Sequence, residues 1–330
     1  METVRWGIIG CGDVTEVKSG PAFNKIANSS LVAVMRRNGD KARDYAERHG
    51  VPKWYDDAEQ LINDPDINAI YIATPPSSHE AYTVAALAAG KPVYVEKPMT
   101  VSKASAERML AAAQQYNQKL CVAHYRREMP MFRHIRQLVQ DGTIGAVRCV
   151  NLRLLQPPKP ALVANTEENW RINPTISGGG YFFDLAPHQL DLMRYYFGPV
   201  KEAYGLCANQ AGLYDAEDIV TGVMRMQRGV VINGIWCFTM PEGIAEDVCE
   251  IIGSEGRIRF TVFSNQYTVW VNGGEQAVTV QHPAHVQQPM IDAVVQYFLG
   301  KGPNPCPAEE AIEMMGVMET FADARGVAVV

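Results

Sequence analysis

Val4-Arg5-Trp6-Gly7-Ile8-Ile9-Gly10-Cys11-Gly12-Asp13-Val14-Thr15 runs from a short apolar segment straight into two glycines one residue apart. The apolar segment has the length of a strand buried on both faces, as strands of parallel sheets are. The rest matches a GxGxxT form of the dinucleotide fingerprint. Gly10 permits the tight turn, and Gly12 lets the backbone at Asp13 and Val14 come up to a pyrophosphate at a helix start. Thr15 stands where glycine or alanine is usual, and Gly20-Pro21 breaks the helix that should follow, so a restart at Pro21 is expected.

A second strand, Leu31 to Met35, arrives at the expected distance. The residue after it reads the adenosine ribose: an acid holds a free 2'-hydroxyl, an arginine holds a 2'-phosphate. Here Arg36 and Arg37 follow, with Lys41 and Arg43 close by and no acid at the strand end, which predicts NADP in preference to NAD.

Strand and helix then alternate. Helices are expected over Lys41 to His49 and Asp57 to Asn63, and a buried strand over Ala69 to Ala73. That strand ends in Thr74-Pro75-Pro76-Ser77-Ser78-His79, where Ser77 or Ser78 is expected to cap the helix that Gly90 stops. Strand Pro92 to Val95 ends in Glu96-Lys97-Pro98, and a helix Ser102 to Tyr116 and a strand Lys119 to Ala123 complete a doubly wound pattern. Ligands bind at the carboxyl ends of such strands, so Thr74, Pro75, His79, Glu96 and Lys97 join Gly10, Gly12, Asp13, Val14, Arg36 and Arg37 as cofactor-binding candidates. A lysine in a partly dry cleft can also stabilise a substrate oxygen as its charge develops.

The second chemical centre is Gly178-Gly179-Gly180 followed by Tyr181 to Asp191. A helix from Gly180, kinked at Pro187, puts Asp184 and His188 on one face at i and i+4. Together they form a carboxylate-imidazole pair suited to proton transfer. Asp191 and Tyr195 extend this polar stripe, while Leu185, Leu192 and Tyr196 form a separate buried one.

From Gly145 the pattern becomes mostly strand: Val147 to Leu155, Ala203 to Asn209, Ile219 to Met226, Val230 to Phe238, Asp247 to Ile252, Arg257 to Phe263 and Tyr267 to Val271. A final helix, Ala308 to Ala324, is expected to pack back near the first domain. The fold class is thus α/β: an N-terminal Rossmann domain, 1–123, and a C-terminal α+β domain, 124–330, with a large, mainly antiparallel open sheet. One face of that sheet would be left bare by its helices, which predicts a homodimer or homotetramer built through it.

Composition sets the bounds. The 330 residues are 47% hydrophobic, enough for two cores. No apolar run approaches the roughly 20 residues needed to cross a bilayer, and Met1 to Arg5 leads directly into a strand. Seven scattered cysteines without a CxxC or Cys/His cluster read as reduced core residues, so no metal site and a cytoplasmic location are expected. A net charge of -6 without a basic run argues against a nucleic-acid partner.

As a set, Gly10 to Thr15, Ala73-Thr74-Pro75 with His79, Glu96-Lys97-Pro98, Tyr125-Arg126-Arg127, Trp170-Arg171, and Gly178-Gly179-Gly180 with Asp184 and His188 resemble the Gfo/Idh/MocA family over nearly the whole chain. The resemblance implies NAD(P)-dependent oxidation or reduction of a sugar, polyol or related cyclic alcohol, with Lys97, Asp184 and His188 as catalytic residues. It also implies a Lys97-Pro98 bond that is often cis. The Arg36-Arg37 pair looks like the NADP-using branch. Tyr125, Arg127, Trp170 and Arg171 are candidate sugar contacts alongside Asp184 and His188, and Ala161 to Trp170 carries no pattern assignable to a particular sugar. Two other functions use similar folds: a non-catalytic cofactor-sensing regulator, and a redox-assisted, NAD-dependent glycosidase.

Overall fold

A computed structural model describes residues 1–163 and 169–323. The chain divides into two compact units, residues 1–129 with 283–312 and residues 130–282 with 313–330. This differs from a single cut at residue 123, because the chain returns to the first unit after the second is built.

The first unit carries a parallel six-stranded sheet of β1 (Val4–Ile9), β2 (Ser29–Met35), β3 (Lys53–Tyr55), β4 (Ala69–Ile72), β5 (Val93–Val95) and β6 (Leu120–Val122), in the order β3-β2-β1-β4-β5-β6. This is the doubly wound order of dinucleotide-binding domains, with ligands expected where the order reverses beside β1. All residues of β4 and β5 are buried, as continuous apolar runs covered on both faces must be. Edge strand β3 was not foreseen: Lys53-Trp54-Tyr55 is too short and too exposed to carry a periodic signal.

The first helix, Asp13–Val17, ends as expected and a 3₁₀ segment, Gly20–Lys25, follows with Pro21 in its first turn. Its Glu16 accepts both arms of Arg48 at 2.8 and 2.9 Å and lies 2.8 Å from His49 Nε2, bracing it to the helix Gly39–His49. Hydrogen bonding from Arg48, foremost, lowers the Glu16 carboxyl to about pH 2. Asn38, Asp57 and Ser102 cap the helices that follow them. Ser78 does not cap: its hydroxyl turns back to Thr74 Oγ1 at 2.8 Å and to the Pro75 carbonyl at 3.0 Å.

The returning segment brings a helix, Gln288–Phe298, that buries Met290, Ile291, Val294, Val295 and Phe298. The Phe298 ring lies 5.5 Å from that of Trp6 in β1. It too was unforeseen, since Pro289 reads as a breaker, yet proline is tolerated in a first helical turn.

The second unit is built on an eight-stranded sheet of β7 (Val147–Leu155), β8 (Val200–Ala208), β9 (Ile219–Met226), β10 (Val231–Cys237), β11 (Glu246–Gly253), β12 (Gly256–Phe260), β13 (Gln266–Val271) and β14 (Gly274–Thr279), in the order β14-β13-β12-β11-β7-β10-β9-β8. The pairing of β7 with β10 is parallel and the other ladders are antiparallel. Edge strand β14 is largely exposed and lacks the apolar alternation by which the others were read. β12 stops at Phe260, not Phe263, because the Val262 and Phe263 amides donate to Asp247 Oδ2 at 2.7 and 3.0 Å.

Inward-facing Val150, Leu152, Leu154, Met224, Ile232 and Trp236 are buried, and the Trp236 ring meets Phe182 edge-on and Phe321 at a tilt. Alternation leaves Tyr204 and Leu206, each 62% exposed, with Val223 on the opposite face. The last described helix runs Ala308–Phe321; only residues to Ile312 count with the first unit, and Ala324 lies outside the described residues. Glu313 pairs with Arg194 at 2.6 Å within the second unit.

Candidate active site

In the first unit, Gly10 and Cys11 donate their amides to the Met35 carbonyl at 2.9 and 3.1 Å, fastening the glycine loop to the end of β2. Gly10 has φ +94°, and a Cβ there would lie 2.7–2.9 Å from Thr74 and Ala73 at the end of β4, so only glycine fits. A Cβ on Gly12 would meet nothing within 4 Å. That open side, with the first helical amides lacking partners inside the helix, is what a pyrophosphate needs, so the loop fits a dinucleotide. Thr15, the departure from the motif, is buried and closes the turn from within by donating its hydroxyl to the Gly12 carbonyl at 2.8 Å. Arg36 is half-buried with Nη1 3.5 Å from the Cys11 carbonyl, and Arg37 is exposed. Burial pushes the Cys11 thiol up to about 11, which marks it as packing.

His79 is fully buried. Its Nε2 lies 2.7 Å from the Thr74 carbonyl, and its Nδ1 lies 3.2 Å from both the Pro98 and Met99 carbonyls. Burial lowers its pKa. The neutral ring donates from one nitrogen only, so it packs between the Thr74-Pro75 loop and the turn after β5 and is hydrogen-bonded to one of them. Glu96 is likewise engaged: its buried carboxylate accepts the Tyr71 hydroxyl at 2.6 Å, Gln287 Nε2 at 2.7 Å and the Lys97 amide at 3.1 Å. Lys97 follows, half-buried, and the Lys97-Pro98 peptide is cis.

In the second unit, Ser177 Oγ accepts the Gly179 and Gly180 amides at 3.3 and 3.0 Å. Gly180 has φ +69°, and its missing Cβ would lie 2.6 Å from that of Ala216. The expected single helix is two, Gly180–Leu185 and Pro187–Phe197. Pro187 has no N-H to donate, so the ladder is interrupted, while Ala186 keeps helical angles. The separate polar and apolar stripes expected there do not exist, because every residue from Pro187 to Met193 is buried, Asp191 included.

Asp184 and His188 are only 7% and 6% exposed. Asp184 Oδ2 accepts Arg171 Nε at 2.7 Å, and the Arg171 guanidinium lies 4.4 Å from the Trp170 ring centre. Arg171 is buried, and its Nη1 has no partner among the described residues. The His188 ring meets Phe263 edge-on at 5.5 Å. The next residue, Gln189, accepts Trp236 Nε1 at 2.6 Å and donates to Asp247 at 3.3 Å, the carboxylate that also holds the Phe263 amide. One network thus fixes both the backbone beside His188 and the ring against it. Sequence reasoning missed Phe263, Gln189 and Asp247, which carry no motif.

The proposed sugar contacts are divided between the two units. Trp170 and Arg171 join Asp184 in the second unit, whereas Tyr125 and Arg127 belong to the first. There Arg127 is buried in an ion pair with Glu310 at 2.6 Å, and Tyr125 lies under Arg126 at 4.8 Å. Of Ala161 to Trp170, residues 164–168 lie outside the described residues. Among the described residues no His/Cys/Asp/Glu group could hold a metal ion.

Residues 4–124 match the model of an oxidoreductase family with an NAD-binding Rossmann fold, and residues 132–259 match the Gfo/Idh/MocA C-terminal domain. The chain belongs to the Gfo/Idh/MocA family. It is thus an NAD(P)-dependent dehydrogenase or reductase acting on CH-OH groups. This oxidoreductase is 47% identical to Oxidoreductase P35 of Formosa agariphila over 96% of the chain and 98% of that protein. It is 29% identical to the 1,5-anhydro-D-fructose reductase of Ensifer adhaerens over 77% of the chain and 74% of that protein. The crystal structure of the aldose-aldose oxidoreductase of Caulobacter crescentus has the same fold, with a TM-score of 0.85 at 22% identity, covering 98% of this chain and 97% of that one.

Proposed function

We propose that this oxidoreductase transfers hydride between NADP(H) and a carbinol or carbonyl carbon of a sugar, polyol or related cyclic alcohol. The observation that carries the reading is Arg171. Its Nε is bound to Asp184, its face rests on Trp170, and its buried Nη1 has no partner among the described residues. A buried donor left unpaired costs about 1–3 kcal/mol, so a ligand oxygen there is favoured. With the guanidinium already neutralised by Asp184, a neutral hydroxyl-rich ligand suits it.

Bound nicotinamide supplies or accepts the hydride. His188 exchanges the proton of the reacting oxygen, Lys97 donates a hydrogen bond to that oxygen as its charge changes, and Asp184 holds Arg171 and a neighbouring hydroxyl. Arg36 and Arg37 receive the 2'-phosphate, while Gly12, Asp13, Val14, Thr74 and Pro75 line the dinucleotide. A panel of polyols and keto-sugars assayed with NADP(H) and NAD(H) tests this. The reading expects a change in nicotinamide absorbance, faster with NADP(H). Release of free sugar from a glycoside without that change would identify a redox-assisted glycosidase instead, and cofactor binding without turnover a sensor.

We also propose a homodimer or homotetramer formed through the face of the second sheet that shows Tyr204, Leu206 and Val223. Sedimentation velocity at micromolar concentration should give a dimer or larger species; a monomer would contradict it. All seven cysteines stand as thiols, which fits the reducing, cytoplasmic location we propose.

A further inference from the structure

We infer that Tyr71 and Gln287 are positioning residues for Lys97, acting through the buried carboxylate of Glu96. The inference rests on the reading that Lys97 touches the reacting oxygen. Glu96 sits at the carboxyl end of β5 and is 6% exposed. A charge so placed must be met by donors. Its Oε1 receives two of them: the Tyr71 hydroxyl at 2.6 Å, from the neighbouring strand β4, and Gln287 Nε2 at 2.7 Å, from the returning segment 191 residues away. Its Oε2 lies 3.1 Å from the backbone N-H of Lys97. The carboxylate is therefore a hub with side chains on one oxygen and the lysine's own backbone on the other.

The two donors are themselves anchored beyond the glycine loop. The Gln287 amide donates its backbone N-H to the Lys18 carbonyl at 3.2 Å, and the Tyr71 hydroxyl lies 3.2 Å from Ser19 Oγ. The side-chain orientation of Gln287 follows from the carboxylate, since reversing the amide would set oxygen against oxygen. Its Oε1 has no partner among the described residues, so the orientation is held by Glu96 rather than by a second bond. The buried His79 ring packs against the other side of the same turn, with Nδ1 3.2 Å from the Pro98 and Met99 carbonyls. Of these groups only Lys97 has chemistry to perform; the others fix where its backbone stands, and misplacing a reacting group by a fraction of an ångström lowers turnover more than binding.

The test uses the full chain with NADPH as probe. Backbone amide exchange is followed for wild type, Gln287→Leu and the milder Tyr71→Phe, with turnover measured on the best substrate of the panel above. Lys97 exchange should rise about tenfold relative to the Ile8 and Val34 amides of the same sheet, and kcat should fall about tenfold, with NADPH affinity within about threefold of wild type. Exchange rising equally at Ile8 and Val34 would make the network a general stabiliser and overturn the inference. So would an unchanged Lys97 amide and unchanged kcat in both variants while Lys97→Ala is inactive. If Lys97→Ala keeps full turnover, the catalytic reading fails, and the exchange rates still decide whether the network holds Lys97.

Discussion

Lys97→Ala and His188→Ala should each lower kcat by about 100- to 10,000-fold while leaving the NADPH dissociation constant nearly unchanged. The asymmetry follows from where each group stands. Lys97 opens the turn after β5, where its backbone is held by Glu96, while the glycine loop is fastened separately to Met35. Removing the amine leaves those backbone contacts in place and takes away the proposed stabilisation of charge on the reacting oxygen. His188 lies on a helix anchored through Gln189 to Trp236 and Asp247, so truncating its ring leaves the helix in place. Asp184 is different, because removing it strands the buried Arg171 guanidinium, and breaking a buried pair costs about 3–5 kcal/mol. Asp184→Asn is therefore the informative variant there, and loss of activity in Asp184→Ala would not separate chemistry from folding.

Arg36→Asp should move preference from NADP toward NAD by about 10- to 100-fold, read as the ratio of the two dissociation constants. Arg36 follows β2 and lies near the glycine loop, half-buried, where a guanidinium can face a 2'-phosphate with little water between them. An aspartate there repels that phosphate and accepts the free 2'-hydroxyl of NAD. Among the described residues Arg36 makes only a long hydrogen bond, to the Cys11 carbonyl, so the change should leave stability almost untouched. An unchanged ratio would mean that the residue is a solvated charge and that cofactor choice is made elsewhere.

The features visible from sequence were those written locally. The Val4 to Ile9 run with its glycine turn, the Glu96-Lys97-Pro98 turn and the buried strands of both sheets announce themselves through composition and period within a dozen residues. Edge strands β3 and β14 were missed because they bury too little to need an apolar pattern. The helix Pro187–Phe197 was misjudged because all but Arg194 and Tyr195 are buried, and a polar stripe is clear only where one side meets water. The site followed the same rule. Asp184 and His188 were legible from the glycine run, but the bond from Arg171 to Asp184 and the bonds converging on Glu96 join residues by folding, not by spacing. His79 was singled out because it belongs to a recognisable motif, whereas the three backbone carbonyls around its ring are displayed by no sequence.

The most direct test is a crystal structure of the ternary complex with NADP(H) and the best substrate or its inert analogue. Lys97 Nζ and a ring nitrogen of His188 should both lie within roughly 2.6–3.2 Å of one substrate oxygen, the one on the carbon facing nicotinamide C4. A substrate bound with either group out of reach of that oxygen, and no bridging water, would contradict the account.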